Sequence, residues 1–391
     1  MKKSLATAAL FLAASMATTA SPALAETGVT DTTIRIGMFG PLTGPTAIGS
    51  LPLFGAAAIY KDVNAHGGIN GRQIELMIED DACDPNKTIS ATKKLISQDQ
   101  VFMVHGGWCS GTVMAIKPEL ARNPDLPYMV LGAASSAISS PVMANLFHPI
   151  ATTTTVTHTM LDFALSKPGA KRIAIISHSD EWGKSHINPL LEYMKSKGIE
   201  PVESVWLERG STSATSQLLK LRSAKPDVVL AILYPPELTL YLRDAAKYGV
   251  KAPTVTTQGV SIEDMVHRVG NPEATKNLFV FYPLSSTLDA PEFGKWKDMY
   301  SKYYPNEPVE TLSFMGMTGA LAVVEALKRA GPDLTRAKFI DALNKLHDFN
   351  PGLQSGPLTF TPEVHAGISS GKMIYWPKDH AEIVATYPAG H

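Results

Sequence analysis

The chain is 391 residues long, 45% hydrophobic and 18% charged, with a formal net charge of −1 at pH 7. Near-neutral charge without long basic runs argues against nucleic acid or an anionic membrane as partner. The length suits two domains, each large enough to bury a core without staples.

In chain order, the first 25 residues read as a secretory signal peptide. Lys2 and Lys3 form the positive start, residues 8–16 the apolar core, and Ala23-Leu24-Ala25 a small-x-small cleavage site before Glu26. The apolar run is too short to stay as an anchor, and no later stretch approaches about eighteen uninterrupted apolar residues. No cysteine stands at the cleavage point to carry a lipid. The expected product is exported and released, with a charge of −3 once Lys2 and Lys3 are gone. In an oxidising compartment the two cysteines, Cys83 and Cys109, read first as a disulfide, with a pair of buried free thiols as the alternative.

Beyond the leader, apolar β-branched runs alternate with helix-period stretches. Strands are expected at 33–39, 73–79, 101–105 and 128–131, with helices at 52–65, 88–98 and 112–122. A break near 147–155 comes next. The rhythm then restarts with strands at 172–177, 201–207, 228–233, 254–256 and 278–281, and helices at 184–197, 215–223 and 238–248. A tail of helices at 291–303, 311–329 and 336–346 ends in late strands at 358–360 and 372–376. Strands that are apolar throughout belong to sheets covered on both faces, so the pattern predicts parallel α/β architecture in two successive series. Sheets of this kind place ligands outside the carboxyl ends of their strands, and two facing domains make a cleft.

Catalytic signatures are weak. The chain has no phosphate-cradling loop ending in Gly-Lys-Ser/Thr and no paired histidines at zinc-helix spacing. Gly40, Gly44 and Gly49 are not spaced as a dinucleotide loop. The run from Gly107 to Gly111 lacks a central nucleophile. Ser177-His178-Ser179-Asp180 has the residue types of a triad, but sequence neighbours cannot converge as one. No catalytic residue, metal ligand or cofactor is expected.

The strand ends read better as a binding surface. Ser110 stands at an N-cap position after the 101–105 strand, where a hydroxyl beside free amides can cap the helix or hold a carboxylate. The next strand ends in the small-residue run Leu131 to Ser136, with Ala133 and Ser135 open to a ligand's approach. Trp108, Trp182 and Tyr234 lie at equivalent strand ends and can supply flat apolar walls. Gln258 adds a neutral donor and acceptor in the same layer.

These residues resemble a known family. Gly-Pro-Leu-Thr-Gly-Pro at 40–45, the run from Asn64 to Arg72, the run from Asp80 to Pro85, and Gly-Pro-Leu-Thr-Phe at 356–360 stand in order. Together they resemble the leucine/isoleucine/valine-binding proteins of ABC importers, over essentially the whole mature chain. The resemblance implies a type I periplasmic binding protein fold: two doubly wound parallel-sheet lobes joined by a three-crossover hinge. Residues 26–150 with 283–369 would form one lobe, and 151–282 with 370–391 the other. It also implies a Cys83–Cys109 bridge and a ligand carboxylate held by Ser110, Ala133 and Ser135. Tyr234, followed by Pro236-Glu237, matches a pocket tyrosine, and Trp182-Gly183 stands where Tyr-Gly is common.

One departure matters most. Amino-acid binders of this group pair the ligand's α-ammonium with an acid in a Gly-Pro-Glu-Gly-like loop, whereas this chain has Thr256-Thr257-Gln258-Gly259. Ile48-Gly49 also stands about where a tyrosine is usual. A desolvated ammonium facing an amide loses its counter-charge, at a cost of several kcal/mol. The expected ligand is therefore a carboxylate without an α-ammonium, an aromatic acid of the benzoate or phenylpropenoate type, with Trp108, Trp182 and Tyr234 around its ring. The partner would be a permease in the inner membrane, and the protein a periplasmic monomer. An amino acid or amide remains the alternative if Glu237 or Asp180 supplies the missing charge, and an exported hydrolase is a further one.

Overall fold

The computed structural model describes residues 26–388, so the expected signal peptide lies outside the described residues. Two sheets are built in succession. The first series runs β1 (Thr33–Gly40), α1 (Ser50–Ala65), β2 (Gln73–Asp80), α2 (Pro85–Ser97), β3 (Met103–Gly106), α3 (Ser110–Arg122), β4 (Tyr128–Val130) and β5 (Leu146–Ala151). The second runs α4 (Thr153–Leu165), β6 (Ile173–Ser177), α5 (Glu181–Ser196), β7 (Glu203–Trp206), α6 (Thr215–Ala224) and β8 (Val228–Ile232). It continues with α7 (Pro235–Lys247), β9 (Thr254–Thr256), α8 (Ile262–Val269), α9 (Pro272–Thr275) and β10 (Leu278–Tyr282). The tail adds α10 (Gly294–Tyr303), α11 (Thr311–Ala330), α12 (Arg336–Asn344), β11 (Ala366–Ile368), β12 (Gly371–Tyr375) and β13 (Glu382–Tyr387).

The first sheet has the order β11-β5-β4-β3-β1-β2 and the second β13-β12-β10-β9-β8-β6-β7. Both are mainly parallel: Ile36 faces Leu76 on one side and Met103 on the other, and Ile175 faces Leu230. The apolar strand runs explain this, since β3, β4, β6, β8 and β10 are buried along their whole length between helix layers. The second sheet ends in an antiparallel edge, β10 on β12 and β12 on β13, that the uniformly parallel expectation did not contain.

The chain passes between the sheets three times, after β5, after β10 and between β11 and β12. Residues from all three passages, Ala151, Pro283 and Ile368, line one cavity of about 10 Å³. The crossings therefore lie side by side, as a hinge requires. Helices turn where local chemistry tells them to: Asp84 caps α2 by accepting from the amides of Asn86 and Lys87, with Pro85 in the first turn.

Several expected elements move. The break near 147–155 does fall where the chain leaves the first sheet, but it is built as the end of β5 and the start of α4, and the expected strand at 358–360 makes only an isolated bridge, Phe349 to Leu358. Its place at the sheet edge is taken by β11, beside β5. The helices α8 and α9 and the strand β13 have no counterpart among the elements expected from the sequence.

Candidate functional site

Every residue singled out from the sequence lies at the carboxyl end of a parallel strand. Trp108 and Ser110 come after β3, Ala133 and Ser135 after β4, Trp182 after β6, Tyr234 after β8 and Gln258 after β9. The two sets of strand ends face each other, and Trp108, Trp182, Tyr234 and Gln258 line one cavity between the sheets. Gly132, Ala134, His186, Gly259 and Met315 complete its wall. A larger groove of about 440 Å³ lies at the opposite end of the second sheet, near Thr254 at the amino end of β9.

On the first-sheet side, the indole of Trp108 is clamped between two glycines. A Cβ on Gly49 or on Gly132 would stand 2.4 Å from the ring, so both positions must lack a side chain. This explains why Ile48-Gly49 holds no tyrosine: Trp108 fills that space. Ser110 is the first residue of α3, and Cys109 occupies the N-cap position assigned to Ser110 from sequence. No side chain caps α3. The Ser110 hydroxyl instead accepts from the amide of Ser135 at 3.3 Å. Ser110, Ala133 and Ser135 are buried and adjoin the wall through Ala134 rather than forming it. Behind them Cys83 and Cys109 form a disulfide, tying the start of α3 to the β2–α2 loop.

On the second-sheet side, Trp182 and Tyr234 stack on each other with centroids 4.2 Å apart, and the Arg209 guanidinium lies 4.3 Å over the Tyr234 ring. The stack is a self-supporting slab, and both rings reach the cavity wall. Burial holds the Tyr234 phenol protonated, pushing it up to about 12. His178 fixes the slab from below: its Nδ1 donates to the Leu207 carbonyl, and its Nε2 accepts from the Tyr234 amide at 3.1 Å. Gln258, only 3% exposed, donates from Nε2 to the Ala151 carbonyl at 2.7 Å.

No aspartate, glutamate, lysine or arginine side chain lines the cavity, and its one histidine, His186, is held neutral by burial. Both acids held in reserve from the sequence are committed elsewhere. Glu237 accepts from the Gly210 amide at 2.7 Å and lies 3.6 Å from His178. Asp180 caps α5 through the Gly183 amide and pairs with Arg209. Meanwhile the first turns of α3 and α5 meet across the cleft, since a Cβ on Gly111 would lie 3.7 Å from Glu181 Cβ. The α3 end has no side-chain cap and no acid in its first turn, so it keeps its positive dipole, whereas Asp180 and Glu181 already place carboxylates at the α5 end. The faces are closed to a cavity of about 10 Å³, room for roughly one water, so a ring enters only as they separate.

His186 and Met315 were missed in the sequence. His186 lies four residues after Trp182 on the same helix, so it shares that face. Met315 comes from α11, whose sequence position gives no hint of the cleft.

Comparison with known proteins places these features in a family. The pattern described as "Periplasmic binding protein" matches residues 33–381. Among curated proteins, the Leu/Ile/Val-binding protein homolog 7 of Brucella melitensis is 26% identical over 309 residues, 76% of this chain and 77% of its own length. Among solved structures, the branched-chain amino acid transporter substrate binding protein LivJ of Streptococcus pneumoniae, in complex with isoleucine, superposes with a TM-score of 0.78 at 23% identity. That match covers 90% of this chain and 99% of the other. A solute binding protein of an ABC transporter from R. palustris, in complex with 4-hydroxybenzoate, also gives 0.78, at 20% identity over 91% and 97% of the two chains.

Proposed function

The chain belongs to the periplasmic binding protein family, and from that premise we propose that it captures a small carboxylate without an α-ammonium, an aromatic acid of the benzoate or phenylpropenoate type. It is a solute-binding component of an ABC transporter, not an enzyme. Of the two ligands seen in its structural neighbours, isoleucine carries an ammonium and 4-hydroxybenzoate does not. The observation that carries the choice is the uncharged cavity: no acid lines it, and Gln258 stands there with its amide already bonded to Ala151. An ammonium in that place would be desolvated without a counter-charge, at a cost of several kcal/mol. A carboxylate suits the opposite side, where the Ser110 and Ser135 hydroxyls adjoin the wall and the α3 dipole points its positive end; the Ala133 and Ser135 amides are bonded to the Gly107 carbonyl and the Ser110 hydroxyl in this closed form.

In this reading Trp108 and Trp182 flank the ring, Tyr234 and Arg209 support Trp182, and Gln258 meets the far end. Lobes at 26–150 with 283–369, and at 151–282 with 370–391, close over the ligand as the three crossings bend. The closed monomer would then deliver its cargo to an inner-membrane permease. Mass spectrometry of the small molecule released on denaturing protein purified from its native cells tests the proposal. An aromatic acid is expected, and a stoichiometric amino acid would contradict it.

A further inference from the structure

Three buried polar atoms on the cavity wall have no hydrogen-bond partner among the described residues: Trp108 Nε1, His186 Nε2 and Gln258 Oε1. Their chemistry is not interchangeable. Trp108 Nε1 can only donate. Gln258 has its NH₂ committed to the Ala151 carbonyl, which leaves its oxygen as a pure acceptor. His186 Nδ1 contacts the Trp182 carbonyl at 2.8 Å, and a carbonyl can only accept. The proton therefore sits on Nδ1, and Nε2 carries a lone pair. Complete burial keeps the ring neutral, with its pKa lowered to about 4. The second-sheet side thus offers two acceptors, while the first-sheet side offers donors. Buried polar groups left unpaired are costly, so an occupant that brings a donor to the second-sheet side is preferred over one that brings none.

Resting on the function proposed above, we infer that His186 is a specificity residue that accepts a hydrogen bond from a neutral donor at the ligand's far end, a phenolic hydroxyl on the aromatic acid, with Gln258 Oε1 beside it. The polarity of the cavity then runs one way: the carboxylate lies toward Ser110 and Ser135, and the hydroxyl toward His186. An ammonium is a donor too, but two neutral acceptors leave its charge uncompensated. A phenolic hydroxyl has one proton and gives it to His186, whereas an unsubstituted ring leaves that acceptor dry as well.

Isothermal titration of the wild-type protein with 4-hydroxybenzoate, benzoate and 4-fluorobenzoate tests this without any variant. The same series on 3-phenylpropenoate covers a longer ligand. The hydroxylated acid of one series should bind at least about tenfold more tightly than its unsubstituted and fluorinated partners. In His186→Leu, checked for folding by circular dichroism, that preference should fall below about threefold. His186→Gln, which keeps an acceptor, should retain part of it. Equal binding of hydroxylated and plain acids in the wild type, or a preference that survives in folded His186→Leu, overturns the role of His186 and leaves the aromatic-acid reading standing. Failure of all these acids, with binding of leucine or phenylalanine, overturns both.

Discussion

Gln258 and Ala151 are joined across the cleft: the amide after β9 of the second sheet donates at 2.7 Å to the carbonyl that ends β5 in the first. Ala151 also lines the cavity where the three crossings meet, so this bond connects the ligand wall to the hinge. It fixes which end of the side chain faces the site. In Gln258→Glu a carboxylate would oppose both the Ala151 carbonyl and any bound acid. Titration should show benzoate-type acids binding at least about tenfold more weakly. Amino acids should gain, because the variant supplies the missing counter-charge. Unchanged affinity for every ligand would mean that this loop does not reach the occupant.

Trp182 is buried against Tyr234 in a near-parallel stack. Trp182→Ala removes the surface on which a ring would lie. Ring-bearing acids should lose about tenfold or more in affinity, beyond the loss for a straight-chain acid such as hexanoate. Circular dichroism must first show the variant folded, since emptying such a site costs about 3–5 kcal/mol. Equal losses for the two ligand types would remove the stacking role.

Ser110→Ala leaves the Ser135 amide without its hydroxyl partner, a defect of about 1–3 kcal/mol. Affinity for carboxylates should fall roughly tenfold, whatever ring they carry. Benzamide, which has no anionic end, serves as the control. If benzamide and benzoate weaken alike, Ser110 supports the fold but does not read the charge.

Stability should fall as the medium is acidified from about pH 6.5 toward 4. Burial lowers six histidines: His105 to about 3, His148 and His186 to about 4, and His158, His178 and His365 in the same direction. A lowered histidine stays neutral in the folded chain while the unfolded chain takes up a proton near pH 6.5. Each such proton costs about 1.4 kcal/mol per pH unit in that window. Glu310, pushed up to about 7, the raised Glu263 and Asp81, and the exposed His380, raised by its bond to Asp379, act oppositely, but four groups do not offset six. Urea midpoints measured across pH 4–7 should rise with pH, and a flat or falling profile would refute the balance.

Much of this was legible in the chain because parallel strands announce themselves. Runs such as Val-Val-Leu-Ala-Ile in β8 are apolar at every position, and the residues just past the carboxyl end of such a strand lie at the ligand edge. Trp182, Tyr234 and Gln258 are legible that way. The passage from β5 into α4 was not, since Pro149 and the run Thr152 to Thr155 carry loop composition, and only tertiary packing makes a strand and a helix of them. The edge strands β11 and β13 are short or half exposed, so their patterns are faint. Trp108's two glycine neighbours show only in three dimensions, because Gly49 and Gly132 come from different strand ends.

The most direct test of the site is isothermal titration of the wild-type protein, stripped of bound solute by unfolding and refolding, with a matched pair: phenylpropanoate and phenylalanine. The two share a ring and a carboxylate and differ only by the α-ammonium, which would enter a cavity that no acidic side chain lines. The acid should bind and the amino acid should be weaker by a hundredfold or so, as several kcal/mol of uncompensated charge requires. Tighter binding of phenylalanine would contradict the reading.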